Sequence, residues 1–368
     1  MAGAGAREGP LAVGAMAMDP YRAGIVGCGR KAATLDDEDR CRINYSIPPD
    51  THAAAYAQIP GVRLVAAADP NDAKRRLMQE RWGVAAVYAD YREMLARERL
   101  DLVSVTTRAD LHAEVTIAAA AAGVRGVLCE KAMATSLQEA DAMLEACRRA
   151  GTRLSVDHTR RWHPTYERAL EALQSGAIGD LRCVVGTCPG PLIHNGTHLF
   201  DLMRLFGGEV TWVSGEVYDA ADPDAPGRAM VQFYSGVVGF ADLDGQLGFA
   251  LELQGTTGRL FIDSAEDGVA IWEYADPGTT RDGRAWYQGG PCRARRIRQL
   301  PPGAGRGTLV AAIEELVACI EEGRASRSSG HDGRAALELA LAVYESHARG
   351  GARLALPMQN RALTVLSR

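Results

Sequence analysis

Two groups of residues have the types and the spacing that acid–base chemistry requires. Glu130 and Lys131 end the apolar run GVLCE, and a lysine at the carboxyl end of a parallel strand faces the crevice where ligands bind. Further along, His198 and Asp201 are three residues apart, on one face of a helix predicted to begin near Thr197. An imidazole can take a proton from a hydroxyl near neutral pH, and an ammonium can stabilise a developing alkoxide. We expect His198 to be the leading base and Lys131 its partner, although the residues alone also allow the reverse assignment.

The same region raises the question of a metal site. His194 and His198 are four residues apart, a spacing that places two zinc ligands on one helix face. However, Asn195-Gly196 is predicted to break the helix between them, and no third ligand is evident. The eight cysteines contain no Cys-x-x-Cys motif, and the tightest pair, Cys183 and Cys188, lacks a second pair. The sequence therefore predicts no metal.

A nucleotide-binding motif follows the first predicted strand. The run Gly27-Cys-Gly29-Arg-Lys-Ala32 fits G-x-G-x-x-A, in which the first glycine makes the turn and the second lets a pyrophosphate approach the main chain. Asp69 ends the next predicted strand, where an acid accepts hydrogen bonds from ribose hydroxyls and repels a 2′-phosphate. The alternative is a plain turn and a surface aspartate. The combination predicts dinucleotide binding, with NAD favoured over NADP.

The spacing between the motif and the acid is unusually long. Gly29 and Asp69 are 40 positions apart, against about 20 in the simple pattern. Residues 34–50, TLDDEDRCRINYSIPPD, form the extra segment. Its charge run could be a solvated loop, but a loop that leaves the phosphate-binding turn lies at the carboxyl edge of the sheet. We predict that this insertion covers or borders the active-site mouth.

These candidate residues are embedded in a first half that alternates strands with helices. Such alternation predicts a parallel sheet with helices on both faces. The helix predicted over 136–150 begins with Ser136, and Glu139 follows three residues later, which is the pattern of a capping box. The predicted strands are 21–27, 62–69, 102–107, 126–130 and 154–157, and the predicted helices are 51–58, 72–82, 91–97, 111–122 and 136–150.

The second half has a different pattern, with many short strand-like runs punctuated by Gly, Asp and Pro, typical of a mostly antiparallel sheet. We place the domain boundary near Gly151, which gives a nucleotide-binding domain over 20–150 and a second domain over 151–368. Residues 1–19 are interpreted as a disordered leader, with Met16 or Met18 as a possible true start. The second half is predicted to contain strands 181–186, 210–217, 230–234, 237–243, 249–254, 260–263 and 269–274, and helices 165–175, 309–322 and 333–348.

Composition excludes several classes of protein. The 368 residues carry a net charge of −5 without a long basic run, which argues against general nucleic-acid binding. The longest apolar stretch, residues 115–124, is shorter than the roughly 18 residues that cross a bilayer. Scattered cysteines in apolar patterns read as buried thiols, which indicates a reducing compartment and a cytoplasmic protein.

Taken together, these motifs resemble the glucose–fructose oxidoreductase, inositol dehydrogenase and rhizopine catabolism family, known as Gfo/Idh/MocA. The resemblance covers about residues 21–357. It implies a Rossmann domain and a C-terminal domain with a large open sheet, through which we expect a homodimer or homotetramer. The segments that carry it are GCGRKA, PGVRLVAAADP, the LH at 111–112, AAGVRGVLCEKAMA, DHTRRWHP, GAIGDL, GTHLFDLMRLFGG and HDGRAALELALAVYESHARGG.

The resemblance also implies site residues. The family lysine corresponds to Lys131, followed by Ala132 where proline is usual, and the family histidine corresponds to His198. His194 stands where the family commonly has Asp, which puts the usual Asp/His proton relay in doubt. Arg161 is expected to be structural or interfacial. The cofactor-binding residues are expected to be Gly27, Gly29, Arg30, Lys31, Asp69, Thr107, Arg108, His112, Glu130 and Lys131, and the substrate-binding residues Lys131, His194, Asn195 and His198.

The activity that the resemblance implies is NAD(P)-dependent hydride transfer between nicotinamide C4 and a secondary alcohol or ketone of a sugar, amino sugar or cyclitol. Such a polyhydroxylated small molecule is the expected partner, with no nucleic acid and no membrane. Two alternatives have the same fingerprint. One is a glycoside-cleaving enzyme that oxidises its substrate only transiently, and the other is a non-catalytic dinucleotide-binding subunit.

Overall fold

The computed structural model describes residues 19–38, 45–244, 246, 248–263, 268–274, 294–301 and 305–366, with the backbone alone over 294–297. The predicted leader, apart from Asp19, therefore lies outside the described residues. The middle of the predicted insertion, 39–44, and the thiols Cys41 and Cys292 lie outside them as well.

A parallel six-stranded sheet forms the core of the first half. Its strands are β1 (Tyr21–Val26), β2 (Val62–Ala68), β3 (Ala86–Tyr88), β4 (Leu102–Val105), β5 (Gly126–Cys129) and β6 (Arg153–Val156). Their order is β3-β2-β1-β4-β5-β6. Every residue of β4 and β5 is buried, as expected of strands covered on both faces. This is the doubly wound arrangement that the sequence predicted.

The helices of this half differ in length around the insertion. They are α1 (Arg30–Ala33), α2 (His52–Tyr56), α3 (Asp72–Trp82), α4 (Tyr91–Arg97), α5 (Ala109–Ala121) and α6 (Leu137–Ala150). A 3-10 turn, Leu35–Asp37, follows α1. The insertion thus separates two short helices, α1 and α2, between β1 and β2.

The predicted capping box of α6 forms only in part. The Ser136 side chain accepts the Glu139 N–H at 3.2 Å, as predicted. The Glu139 carboxylate instead accepts from the N–H and the hydroxyl of Thr135, at 2.9 and 2.7 Å. Thr135 takes the carboxylate because its hydroxyl offers a second donor beside its own N–H.

A mostly antiparallel nine-stranded sheet dominates the second half, with order β14-β13-β12-β11-β7-β10-β9-β8-β15. Only its pair β7–β10 is parallel among the described strands. The strands are β7 (Leu181–Thr187), β8 (Val210–Val217), β9 (Gly227–Phe233), β10 (Val238–Asp242), β11 (Ala250–Gly255), β12 (Gly258–Asp263), β13 (Val269–Tyr274), β14 (Ala294–Leu300) and β15 (Leu354–Ala355).

Helices cover one face of this sheet and leave the other open. Leu199 of α8 packs against β7, and Val343 of α10 packs against β8. On the other face, Phe240 and Met230 border a groove of about 410 Å³. The helical segments are a 3-10 turn (Thr159–Trp162), α7 (Pro164–Gln174), a π-helical turn (Leu192–Gly196), α8 (Thr197–Gly207), α9 (Thr308–Glu322) and α10 (Gly330–Ala348).

The two halves of the sequence are not cleanly separate in space. β6 pairs with β5, so the parallel sheet extends beyond the boundary predicted near Gly151. Helix α9 also returns to the first sheet, where Leu309 and Ile313 share a core with Ile25 and Leu128. The insertion leaves only short helices on that face, and α9 supplies the apolar surface that completes its cover. None of the helices in the described parts of the chain is long and apolar enough to cross a bilayer.

Candidate active site

A cleft of about 480 Å³ opens at the carboxyl ends of β1, β2 and β4. Small-molecule pockets typically measure roughly 300–1,000 Å³. The fingerprint turn, the acid after β2 and the loop after β4 therefore face one space of suitable size. Seven of the residues predicted to bind a dinucleotide line it: Gly27, Gly29, Arg30, Lys31, Asp69, Thr107 and Arg108.

The two glycines of the fingerprint are required for different physical reasons. Gly27 has a φ of 91°, and a Cβ there would lie 2.8 Å from the backbone oxygen of Thr106, so a side chain is excluded. At Gly29 the nearest atom that a Cβ would meet is the Lys74 Nζ, 4.0 Å away. The main chain at Gly29 therefore borders open cleft space that a pyrophosphate can approach. These residues fit a dinucleotide.

Asp69 is held at the rim of this cleft by the main chain. Its carboxylate accepts the N–H groups of Cys28 and Asn71 at 2.9 and 2.8 Å. The Lys74 ammonium lies 3.6 Å from Oδ2. An ionised carboxylate has about four acceptor sites, so Asp69 keeps capacity for ribose hydroxyls beside these contacts.

His112, predicted to bind the cofactor, lies elsewhere. Its buried ring is within hydrogen-bond distance of two carbonyl oxygens, 3.1 Å from that of Thr107 and 2.8 Å from that of Ala132, and burial lowers the pKa of His112. His112 therefore fixes the loops after β4 and β5 to one another and does not line the cleft.

Lys31 and Glu130 belong to a buried polar cluster whose other members, His52 and Asp157, the sequence analysis did not select. The Glu130 carboxylate lies 3.0 Å from the His52 Nε2. The Lys31 ammonium lies 3.5 Å from Glu130 and 3.2 Å from Asp157. The cluster ties α1 and α2 to the carboxyl ends of β5 and β6, beside Lys131.

Three members of this cluster have a metal-like arrangement, because ligand atoms of His52, Glu130 and Asp157 lie within 4.8 Å of one another. A cation is already provided there by Lys31. Although burial alone would lower the pKa of Lys31, the carboxylates of Glu130 and Asp157 raise it. We therefore assign the positive charge that balances these acids to the Lys31 ammonium.

Lys131 lies at the end of β5, half-buried. Its Nζ donates a 2.6 Å hydrogen bond to the backbone oxygen of His194, and the Lys131–Ala132 peptide bond is cis. Burial lowers the pKa of Lys131. The lysine is thus directed across from the first domain to the π-helical turn of the second.

His198 begins α8 and is only 4% exposed. Its Nδ1 is buried and has no hydrogen-bond partner among the described residues. Burial lowers the pKa of His198 well below its ordinary value, and the charges of Arg160 and Lys131 lower it further. His198 is therefore a neutral imidazole at neutral pH, with a nitrogen available for a ligand.

Asp201, three residues after His198 on α8, bonds to side chains of other segments. Asp201 accepts two hydrogen bonds from Arg161, at 2.8 and 2.9 Å, and lies 3.3 Å from the Nδ1 of His158. The His158 ring packs edge-on against that of His198, with centroids 5.7 Å apart. The guanidinium outcompetes an imidazole for the carboxylate because it is permanently charged and donates two hydrogen bonds. Arg161 thus has the structural role that was expected.

The helix break predicted at Asn195-Gly196 is wrong. A π-helical turn, Leu192–Gly196, continues directly into α8. The hydroxyl of Thr197, the first residue of α8, donates a hydrogen bond to the carbonyl of Ile193 in the turn at 3.1 Å. The side chain of Asn195 donates to the Pro189 carbonyl at 2.5 Å. His194 is exposed, and its carbonyl receives the Lys131 ammonium.

The described end of the insertion reaches this cluster. The ring of Tyr45 lies 6.4 Å from that of His198 in an edge-on arrangement, and the guanidinium of Arg160 lies 4.7 Å from the Tyr45 ring centroid. The insertion is therefore on the same side of the molecule as Lys131 and His198, which agrees with its predicted placement.

Comparison with known families places this site in context. The profile described as "Oxidoreductase family, NAD-binding Rossmann fold" matches residues 46–158, and that described as "Oxidoreductase family, C-terminal alpha/beta domain" matches residues 187–356. The chain belongs to this Gfo/Idh/MocA oxidoreductase family. Its first domain is accordingly an NAD-binding Rossmann domain.

Several family members are similar along most of their length. The D-apiose dehydrogenase of Paraburkholderia graminis is 29% identical over 81% of this chain and 84% of its own. The myo-inositol 2-dehydrogenase of Thermotoga maritima is 26% identical over 80% and 92%. The WlbA dehydrogenase of Bordetella pertussis, solved with NADH and UDP-GlcNAcA, superposes with a TM-score of 0.72 at 21% identity, covering 92% of this chain and all of that one.

Four residues around the Gfo/Idh/MocA lysine and histidine were missed or undervalued by the sequence analysis: His52, Asp157, His158 and Arg160. Two of them had an available signal. Asp157 ends the predicted strand over 154–157 and His158 directly follows it, so the carboxyl-edge argument applied to Lys131 applies equally there. His52 and Arg160 had none, because their partners are distant in the sequence.

Proposed function

We propose that the protein is an NAD-dependent dehydrogenase or reductase that transfers a hydride between nicotinamide and a secondary alcohol or ketone of a sugar, amino sugar or cyclitol. The observation that supports it most is the approach of Lys131, from the end of β5, to the turn that precedes the buried, unpartnered imidazole of His198. The family relatives named as sugar and cyclitol dehydrogenases support the substrate class.

The bound NAD supplies a hydride acceptor at nicotinamide C4. In the proposal, the neutral His198 accepts the proton of the substrate hydroxyl, which it can do because its pKa is lowered. The Lys131 ammonium hydrogen-bonds the same oxygen and stabilises its developing negative charge. A His194 contact with another substrate hydroxyl is also proposed, because this side chain is exposed beside Lys131.

NAD is proposed in preference to NADP because Asp69 presents a carboxylate at the rim of the cleft. Gly27, Gly29, Arg30, Thr107 and Arg108 are proposed to contact the dinucleotide directly. Lys31, Glu130 and His112 are proposed to act on it indirectly, through the polar contacts that hold the turn and the two loops.

Replacing Lys131 tests the assignment directly. We expect Lys131→Ala to reduce kcat by about 100-fold or more, the scale of losing a charge-stabilising group, while NAD affinity stays within a few-fold. Steady-state production of NADH over a panel of polyols and cyclitols measures kcat, and fluorescence titration measures the affinity for NAD. Arg148→Ala, which removes an exposed cation on α6, serves as the matched control. Unchanged turnover of Lys131→Ala would remove this residue from the mechanism.

The pH profile separates the two possible roles of Lys131. If the ammonium stabilises the alkoxide, oxidation slows as pH rises through the lowered pKa of Lys131, below the ordinary lysine value of about 10.4. Lys131→Arg, which stays charged, should then move this loss to higher pH. A rate that instead rises through the same pH would make Lys131 the base. Net NADH formation also excludes the glycoside-cleaving and non-catalytic alternatives.

We further propose a homodimer or homotetramer built through the open face of the second sheet, on which Phe240 is 45% exposed. A cytoplasmic location is proposed from the thiols. Each of the six described cysteines is free, and burial raises the pKa of Cys28 to about 12 and that of Cys188 to about 11. Such protonated thiols suit a reducing compartment.

A further inference from the structure

Arg160 is a buried cation for which the described residues provide no counter-ion. It lies in the 3-10 turn after β6 and is 4% exposed. Within the described parts of the chain it forms no ion pair, and its Nε and Nη1 have no hydrogen-bond partner. A guanidinium so deeply buried is normally paired, because an unmade charged hydrogen bond costs stability. Its neighbour Arg161, by contrast, bonds Asp201 and Asp332.

Aromatic rings hold this guanidinium in place. Its central carbon lies 3.7 Å from the ring centroid of Phe249 and 4.7 Å from that of Tyr45. The Arg160 guanidinium opposes the rise that burial causes in the pKa of Tyr166. Stacking fixes the plane of the guanidinium. It leaves Nε and Nη1 with N–H groups that still need a hydrogen-bond acceptor.

The position of Arg160 connects it to the proposed chemistry. Tyr45, which stacks on Arg160, also packs edge-on against His198. Among the charges that act on the His198 imidazole, that of Arg160 is the strongest and that of Lys131 is next. The guanidinium therefore lies near the imidazole, with the Tyr45 ring against both.

The nearby carboxylates are already neutralised by other cations. Asp201 is paired with Arg161, and Glu130 and Asp157 are paired with Lys31. Among the described residues around His198, four cations, Lys31, Lys131, Arg160 and Arg161, thus face three carboxylates, those of Glu130, Asp157 and Asp201, which leaves one positive charge in excess. A neutral sugar would leave this excess uncompensated, whereas an anionic one would complete it.

We propose that Arg160 binds the carboxylate of the substrate, so that the enzyme acts on sugar acids such as uronates or aldonates. This inference rests on the proposed dehydrogenase function and specifies its substrate class. One excess positive charge matches the single charge of a carboxylate, whereas a phosphate dianion would call for a second one. Tyr45 covers the guanidinium, and the carboxylate reaches Arg160 when this half-buried ring turns aside.

Matched substrate pairs test the proposal: glucose against glucuronate, galactose against galacturonate, and gluconate beside both. We expect kcat/KM of the wild-type enzyme with NAD to favour the acids by about 10- to 100-fold, the scale of a hydrogen bond to a charged group. Arg160→Met should abolish this preference, mainly by raising KM for the acids, so that kcat/KM for the acids falls to that for the neutral sugars. Arg160→Lys should restore part of it.

Binding provides a second readout that does not need turnover. Glucuronate should change the fluorescence of the enzyme–NADH complex of wild type and not of Arg160→Met, while both bind NADH equally, which shows that the variant is folded. If Arg160→Met does not fold, Arg160→Lys carries both measurements, and an acid preference equal to that of wild type would count against a site shaped for the guanidinium.

Three results would overturn the inference. Equal use of acids and neutral sugars by wild type, or an equal loss for both in Arg160→Met, would refute carboxylate recognition and leave the dehydrogenase function intact. Preference for sugar phosphates over uronates would refute the carboxylate class. Oxidation of no compound despite NAD binding would instead refute the proposed function, and this inference with it.

Discussion

At the scale of single residues, cofactor choice depends on the charges at the rim of the cleft. The carboxylate of Asp69 lies there with the Lys74 ammonium 3.6 Å away. Arg75 donates to the backbone oxygens of Asp69 and Pro70, at 2.8 and 2.9 Å. A 2′-phosphate would therefore meet the repelling carboxylate of Asp69 beside the cations of Lys74 and Arg75, the second of which also pairs with Asp72. This arrangement makes the preference for NAD depend on a single charge.

Removing that charge should weaken the preference for NAD. Asp69→Asn keeps an acceptor for the Cys28 or Asn71 N–H, removes the repulsion and leaves Lys74 without its counter-ion. We expect the affinity for NADP, relative to that for NAD, to rise about tenfold or more. The repulsion between a carboxylate and a nearby phosphate charge is worth more than about 1 kcal/mol at moderate dielectric. Fluorescence titration with both dinucleotides measures it. Asp180→Asn, which removes an exposed carboxylate in the second half, should leave the ratio unchanged, and an unchanged ratio in Asp69→Asn would contradict this assignment.

The site residues that could be predicted from sequence are those whose position follows from a short local pattern. Gly27 is needed by the turn itself, Gly29 follows from the fingerprint spacing, and Lys131 follows a strand whose end is readable from its apolar run. His158 was undervalued because its partners, Asp201 and His198, come from a helix about forty residues away. No spacing within one segment indicates that Arg161 pairs with Asp201, so the sequence could not assign this partner.

At the scale of secondary structure, one helix begins on a histidine. His163 is the N-cap of α7, and its Nδ1 accepts the N–H of Thr165 at 3.2 Å. An imidazole can do this only while Nδ1 is unprotonated. Burial, assisted by the charge of Arg160, lowers the pKa of His163 to about 4. The stability of α7 is thereby linked to pH.

The sign of this linkage follows from the two pKa values. In the unfolded chain His163 titrates near its ordinary value of about 6.5, above its folded value of about 4. The unfolded state therefore binds more protons as pH falls below about 6.5, and the native state loses stability there. At pH 5 the loss is about 2 kcal/mol relative to pH 8.

His163→Asn should remove this contribution, because an asparagine oxygen caps the helix at either pH. We expect the difference in unfolding free energy between pH 8 and pH 5 to be smaller by about 2 kcal/mol in the variant, with little change at pH 8. Urea unfolding at both values measures it. His347→Asn, at the far end of α10, is the matched control. An equal pH dependence in wild type and His163→Asn would show that the cap does not titrate as stated.

Elements with strong local signals were predicted with correct bounds, and those without were missed. Helices α3 and α4 and strands β8 and β13 begin and end where their patterns indicate, because side-chain caps or apolar alternation define them locally. β3 and β15 have only three and two residues, too few to show alternation. β14, ARRIRQL, has an arginine-rich sequence that suits the edge of a sheet, where charge discourages further pairing.

At the scale of the whole molecule, the chain order hides which surfaces meet. Helix α9 follows the second sheet in sequence but completes the core around β1 and β5, where Leu316 packs with Ile25. The apolar face of α9 is evident from the sequence. The sheet against which it packs is not, because that face could pack against any uncovered sheet. The same ambiguity applies to the open face of the nine-stranded sheet, on which Phe240 is exposed.

That open face yields the last prediction. Phe240, exposed in the middle of the sheet on β10, borders the 410 Å³ groove together with Val185 and Met230. We expect the wild-type protein to be dimeric or tetrameric. Phe240→Asp should raise the dissociation constant of the oligomer by about 30-fold or more, because it places a charge on an interface anchor. Light scattering after size-exclusion chromatography, over a concentration series, measures it. Leu366→Asp charges an equally exposed residue near the carboxyl end and should leave assembly unchanged. NAD affinity should be the same in all three, because the cleft lies on the other domain. A monomeric wild type, or an unaltered Phe240→Asp oligomer, would mean that the open sheet face is not the interface.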